Sequence, residues 1–316
     1  MITFPKSIEA AASSPGQRRA GGTDVQELRH LGIRSDDLVD LRDCPGLDRF
    51  EQAEDGLHLG AGISLTRIAQ DAAVKEQYPA LAEAAGGLAT PQIRNRASLA
   101  GSLLQEVRCW YYRHPDQQCA KKGGAVCLAR QGDHLYHSCF DTGVCVAPHP
   151  STMAAALWAY DALVELDDAS LLDIPTLLGD GTDPRRTHHL APGRLVVAVH
   201  LPPPPPKGEL AAYGRAISRA RAEWPLAELV VRLGLDKKGE KIDWARLVMG
   251  GVANRPLRLS VLEEALVGQP PTDETFARLA PMAIEGAKPL PMTGYKLRII
   301  PGLVREQLLR AMEGAA

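Results

Sequence analysis

The chain predicts an α+β fold in two units, the first interrupted by an irregular, cysteine-dense loop. Three observations predict this. Short apolar strands alternate with helix-compatible stretches through the first half, the pattern of a mixed fold. Five of the six cysteines lie between Cys109 and Cys145, whereas structural core thiols would be scattered, as Cys44 is. A Gly/Asp/Pro-rich stretch from Ile174 to Pro192 reads as a loop and domain boundary, after which longer strands and then helices follow.

Size and charge narrow the function classes. A chain of 316 residues suits two or three domains. A formal net charge of −2 argues against nucleic acid or an anionic membrane as the main partner. No run approaches the ~18 to 20 apolar residues of a membrane span. The first residues lack the apolar centre of a secretory signal, so the expected compartment is the cytoplasm unless a partner carries the chain out.

Taken in order, Ser7 can cap a short helix over 7–13, with Glu9 in its first turn. The turn Arg19-Ala20-Gly21-Gly22-Thr23-Asp24 then leads into a helix-compatible stretch, Val25 to Leu31. Two adjacent glycines let backbone N–H groups converge on an anion, although a plain connecting turn would use the same pair. A short strand is expected at Asp37–Leu41 and another at 56–63, followed by helices at Leu65–Ala72 and Pro79–Ala85. In the next stretch, Ala97, Ser98, Ala100, Gly101 and Ser102 leave room beside the backbone, with Arg94 and Asn95 supplying donors. The alternative is a tightly packed turn between strands in which Arg94 is a structural ion-pair partner. Past the cysteines, Ser151 can cap a helix reaching about Asp161, with Ala154, Leu157 and Trp158 inward. Strands follow at Ala162–Leu166 and Leu195–Leu201, the latter ended by Pro202 to Pro206. Further strands are expected at Leu226–Leu235 and Trp244–Ala253, with helices at Ser260–Val267, Thr272–Ala280 and Leu303–Met312. Three strands with helices on one side would make a small α+β C-terminal domain.

The cysteine spacing is Cys109-x9-Cys119-x7-Cys127-x11-Cys139-x5-Cys145, without a CxxC pair. That pattern disfavours a zinc ribbon or a thioredoxin-like centre. Four thiolates on a long loop suit a [4Fe–4S] cluster, with Arg108, Lys121 and Lys122 offsetting its charge. Five cysteines exceed the four needed, so either Cys139 or Cys145 is spare.

With these pieces placed, the chain resembles the FAD-binding (medium) subunit of xanthine dehydrogenase-family molybdenum hydroxylases. The resemblance rests on AGGTDV (20–25), LGAGISLTRIA (59–69), IRNRASLAGSLL (93–104), HPSTMAAALWAYDALVEL (149–166) and RLVMGGVANRPLRLSVLEEALVG (246–268), all in the family's order. It implies a two-part FAD-binding domain of the PCMH type at 1–185 (subdomains about 1–50 and 51–185, iron–sulfur loop 105–148) and a flavoprotein C-terminal domain at 190–316. It also implies that Arg19, Ala20, Gly21, Gly22, Thr23, Asp24, Val25, Arg94, Asn95, Ser98, Leu99, Ala100, Gly101, Ser102 and Thr152 contact FAD. The loop is similar to that of iron–sulfur flavoprotein subunits of aldehyde oxidoreductases and 4-hydroxybenzoyl-CoA reductase. That likeness selects Cys109, Cys119, Cys127 and Cys145 as cluster ligands. Partners implied are a large molybdenum-cofactor subunit, a small subunit with two [2Fe–2S] clusters, and an external electron acceptor. Thr152 stands where the family usually has an aspartate, and Ala97 and Ala100 replace common glycines. The competing reading is a non-enzymatic assembly protein stapled by zinc.

Overall fold

A computed structural model describes residues 1–205 and 209–313; Pro206, at the end of the proline run, lies outside them. The mixed architecture is as predicted, in three sheets. The N-terminal subdomain is a small parallel sheet in which Leu38–Asp40 lies between Ile2–Thr3 and Gln17–Arg19. Ser7 caps the helix Ile8–Ser13, its Oγ accepting from the Ala10 amide at 3.1 Å. The second sheet is antiparallel, in the order Phe50–Ala53, Gly56–Gly60, Val196–Leu201, Leu163–Leu166, Leu171–Asp173. Its centre is Val196–Leu201, which pairs with Gly56–Gly60 on one side and Leu163–Leu166 on the other. The first unit therefore extends past residue 190, because a strand of almost uninterrupted apolar residues needs neighbours on both sides.

The helix expected over 65–72 is two helices, Leu65–Gln70 and Ala72–Gln77. Asp71 separates them in an extended conformation and caps the second through its side chain. Ser151 caps Thr152–Ala159, accepting from the Ala154 amide at 3.0 Å. That helix is buried on almost every side between the two units, so its apolar stripe is much wider than three residues, while Trp158 is only half-buried. The 174–192 stretch also contains a short helix, Ile174–Leu178, whose buried Leu177 and Leu178 join the first core.

The C-terminal domain is built on three long antiparallel strands, Leu210–Ala216, Ala227–Leu235 and Ile242–Gly250, with Leu257–Arg258 as a two-residue edge. The first of these was not legible in the sequence. LAAYGRA has weak strand preference, and its extension is set by seven registered pairs with Ala227–Leu233. The last helix is Lys296–Glu313, longer than expected, and it runs through Pro301. Buried Ile300, Leu303 and Val304 anchor it on both sides of the proline, which outweighs the missing donor. Among the described residues no helix is long and apolar enough to cross a membrane.

Candidate functional site: a cleft and a cysteine cavity

An open cleft of about 230 Å³ is lined by the first glycine loop, the 88–108 segment and the C-terminal domain. One wall carries Thr23, Asp24 and Glu27; the opposite wall carries Ala97, Gly101 and Ser102. Thr152 lines its inner end, and Arg215 and Trp224 reach in from the C-terminal domain. The two small-residue loops touch backbone to backbone. A Cβ on Gly21 would fall 1.7 Å from the Arg96 carbonyl oxygen, so no larger residue fits. Gly22 turns the chain with φ +76°, a conformation that favours glycine. This is a cradle in which a ligand can lie against main chain.

The residues predicted as contacts divide in the structure. Thr23, Asp24, Gly101, Ser102 and Thr152 line the cleft, whereas Arg19, Ala20, Gly21, Gly22, Val25, Ser98, Leu99 and Ala100 stand behind it as the frame of the two loops. Arg19 is spent on the buried carboxylate of Asp40. Ser98 caps Leu99–Leu103, its Oγ accepting from the Gly101 amide at 3.2 Å. Arg94 differs from the expectation of a free donor. Arg94 donates to the Leu88 and Ala89 carbonyls at 2.8 and 2.7 Å, holding Ala89 at φ +49°. The Asn95 carbonyl accepts from the Thr66 hydroxyl at 2.6 Å. Arg94 serves the turn, through backbone carbonyls rather than an ion pair.

Asp24 is a staple. Its carboxylate accepts from the Glu106 amide at 2.9 Å and pairs with Arg108 at 2.9 Å and Arg113 at 2.7 Å. It thereby ties the first glycine loop to the chain entering the cysteine loop. Arg108 is engaged by Asp24 and Glu27, with its guanidinium 4.5 Å from the centre of the Trp224 ring, and so belongs to the cleft. Trp224 and Arg215 were missed. The exposed tryptophan ahead of Pro225 was the available signal for the first, and only strand pairing places the second.

At the inner end, Thr152 donates to Glu228 at 2.7 Å and the Tyr213 hydroxyl donates to the same oxygen at 2.8 Å. Burial raises the Glu228 carboxyl above its ordinary value of 4.5, opposed by these hydroxyls and Arg215. A carboxyl with a raised folded pKa favours the folded state while protonated, and that stability is lost as pH rises through the folded value. Glu228→Gln, which keeps both acceptor contacts and cannot ionise, should therefore gain stability relative to the parent as pH climbs above 4.5. Denaturation curves across that range check this, and parallel pH profiles for the two proteins would contradict it.

The second feature is a closed cavity of about 10 Å³ in the loop, lined by Cys109, Cys119, Cys127 and Cys145 together with Tyr111, Tyr112 and Lys121. Cys119 and Cys127 each start a 3₁₀ turn, Ala120–Lys122 and Leu128–Arg130, which aims both thiols inward. Burial pushes the Cys109 thiol up to about 12 and raises Cys145, with Lys121 opposing the latter. A bound cation would reverse this by taking the thiolates. Cys139 lies elsewhere, fully buried in the C-terminal core, its amide and that of Phe140 both donating to the Val252 carbonyl. Cys44 packs in the first core.

The donor sets fit the implied groups. An open cleft beside two small-residue loops, lined by Arg215 with its buried Nη2 unpartnered, suits the phosphate and ribityl part of a flavin nucleotide. Four converging thiols suit a metal centre. Fold and cleft together define a flavoprotein subunit of an oxidoreductase.

The comparisons agree. Residues 7–204 match the model of the FAD binding domain in molybdopterin dehydrogenase, and residues 212–311 that of the CO dehydrogenase flavoprotein C-terminal domain. The chain is 34% identical over 290 residues to the aldehyde oxidoreductase FAD-binding subunit PaoB of Escherichia coli K12, covering 87% of this chain and 88% of that one. It is 24% identical to the 6-hydroxypseudooxynicotine dehydrogenase complex subunit alpha of Paenarthrobacter nicotinovorans, covering 94% and 86%. Carbon monoxide dehydrogenase of Hydrogenophaga pseudoflava shares the fold, with a TM-score of 0.76 at 20% identity over 99% of this chain and 96% of that one. The chain belongs to the FAD-binding subunits of the molybdenum hydroxylases.

Proposed function

We propose that the chain is the electron-transfer subunit of a heterotrimeric aldehyde oxidoreductase, holding FAD in the cleft and a [4Fe–4S] cluster in the cysteine cavity. Its partners are a large molybdenum-cofactor subunit and a small subunit with two [2Fe–2S] clusters, and electrons leave through FAD to an external acceptor. The observation that carries the reading is the convergence of four cysteines on one cavity, tied to the cleft through Arg108 and Asp24. The identity of 34% to an aldehyde oxidoreductase subunit favours this reaction class over a 4-hydroxybenzoyl-CoA reductase.

The redox chemistry belongs to the bound cofactors. The chain's own residues position and tune. The loops around Gly21 and Gly101 pack closely beside the cleft, and Arg215 lines the same space with a buried, unpartnered Nη2. Trp224 covers the cleft from the C-terminal side, held by the Arg108 guanidinium. Substrate binding lies outside this chain, in the molybdenum subunit, and the complex is assigned to the cytoplasm, with export alongside a partner as the alternative.

A second reading, a single structural Zn²⁺, would use the same four-thiol donor set, although among the described residues no three of these sulfurs lie within 4.8 Å of one another. An anaerobic visible spectrum of the purified complex, with iron, zinc and FAD quantified per chain, separates the two. Flavin bands with iron beyond that of two [2Fe–2S] clusters are expected. Flavin with one zinc and no surplus iron would replace the cluster by a zinc staple, and a complex without flavin would defeat the electron-transfer role.

A further inference from the structure

One buried side chain beside the cysteine cavity has no role in the account above. His137 is 2% exposed, and its Nε2 lies 3.2 Å from the Cys109 sulfur. Its Nδ1 is buried without a partner. The ring is held edge-on against Trp110, with centroids 5.1 Å apart at 81°, so its orientation is set by packing. A neutral imidazole carries one N–H. On Nδ1 that hydrogen would be a buried donor with no acceptor, and two lone pairs would face each other across the gap to the sulfur. On Nε2 it points at the sulfur.

We propose that His137 is a positioning residue whose Nε2–H donates to the Cys109 thiolate and raises the reduction potential of the cluster. Hydrogen bonds to cluster sulfurs withdraw negative charge from the ligand and stabilise the reduced, more negative state. The donor and the sulfur are already at hydrogen-bond distance, so no rearrangement is needed. Because Cys109 follows Arg108, the residue that holds Trp224 over the cleft, this is the ligand joined most directly to the flavin side of the site. A donor there biases the distribution of electrons between the cluster and the flavin.

The inference rests on the cluster reading, and the test separates the two. The intact complex would be purified as wild type, His137→Phe and His137→Gln, with iron per chain measured and the cluster titrated by EPR at controlled potentials. His137→Phe is expected to keep its iron and show a lower cluster potential, with the FAD potential unchanged. His137→Gln, whose amide N–H has comparable reach, should recover most of the shift. An unchanged potential in an iron-replete Phe variant would overturn the inference. So would loss of the cluster in both variants, which would make the histidine a packing residue. Wild-type complex with no surplus iron would overturn the cluster reading itself.

Discussion

Gly21→Val should give a folded subunit that no longer retains flavin. The new Cβ would sit 1.7 Å from the Arg96 carbonyl oxygen and 2.5 Å from its carbon, both backbone atoms that cannot rotate away. The two small-residue loops must then separate, and the cradle between them is lost. The main core reaches this contact through Ala97 but extends far beyond it, around residues such as Leu57, Leu59 and Val199, so the fold survives. Overpacking of this kind typically costs ~1–3 kcal/mol. If that strain is relieved when the loops part, FAD binding must restore it, and about 1.4 kcal/mol is a tenfold loss of affinity. The FAD-to-protein ratio after gel filtration is the measurement, with Gly302→Ala as control. Gly302 is helical with open space around it, so that variant should keep its flavin and gain roughly 0.5–1 kcal/mol. A flavin-replete Gly21→Val protein would sink the placement of FAD in this cleft.

Cys119→Ser and Cys139→Ser should have opposite consequences. Cys119 lines the four-thiol cavity and belongs to a small satellite core with Leu28, Val107, Tyr112 and Ala147. So few apolar groups cannot hold a long irregular loop unaided, and a structural metal contributes on the order of 10 kcal/mol. Its loss should release nearly all metal from this chain and open the loop to protease. Cys139 sits in the C-terminal core, away from the cavity, so its serine variant should keep the metal. That variant pays ~1–3 kcal/mol for a buried hydroxyl, read as a shifted denaturation midpoint. Metal content and limited proteolysis of both variants decide the ligand set. Metal retained in Cys119→Ser and lost in Cys139→Ser would reverse it.

The local signals were legible without a structure. Ser7 and Ser151 cap the helices they precede, and a turn forms at Gly22, which the doublet announced. The apolar runs around Val199 and Val231 are strands. These features depend on a residue and its close neighbours, so the order of residues carries them. The five clustered cysteines were equally visible, but their spacing could not choose between Cys139 and Cys145.

Tertiary contacts decided the rest. The strand Leu210–Ala216 exists because Ala227–Leu233 pairs with it, and Val196–Leu201 sits in the first sheet because Gly56–Gly60 and Leu163–Leu166 flank it there. Arg94 looked like a ligand donor until its acceptors, the Leu88 and Ala89 carbonyls, were in place. Asp24 became a staple only when Glu106, Arg108 and Arg113 folded onto it, from more than 80 positions away. Cys139 was separated from its neighbours in sequence by the Val252 carbonyl, which takes its amide into another core. Polar groups and thiols have several possible partners of similar strength, and which one they meet is set by the packing of distant apolar segments.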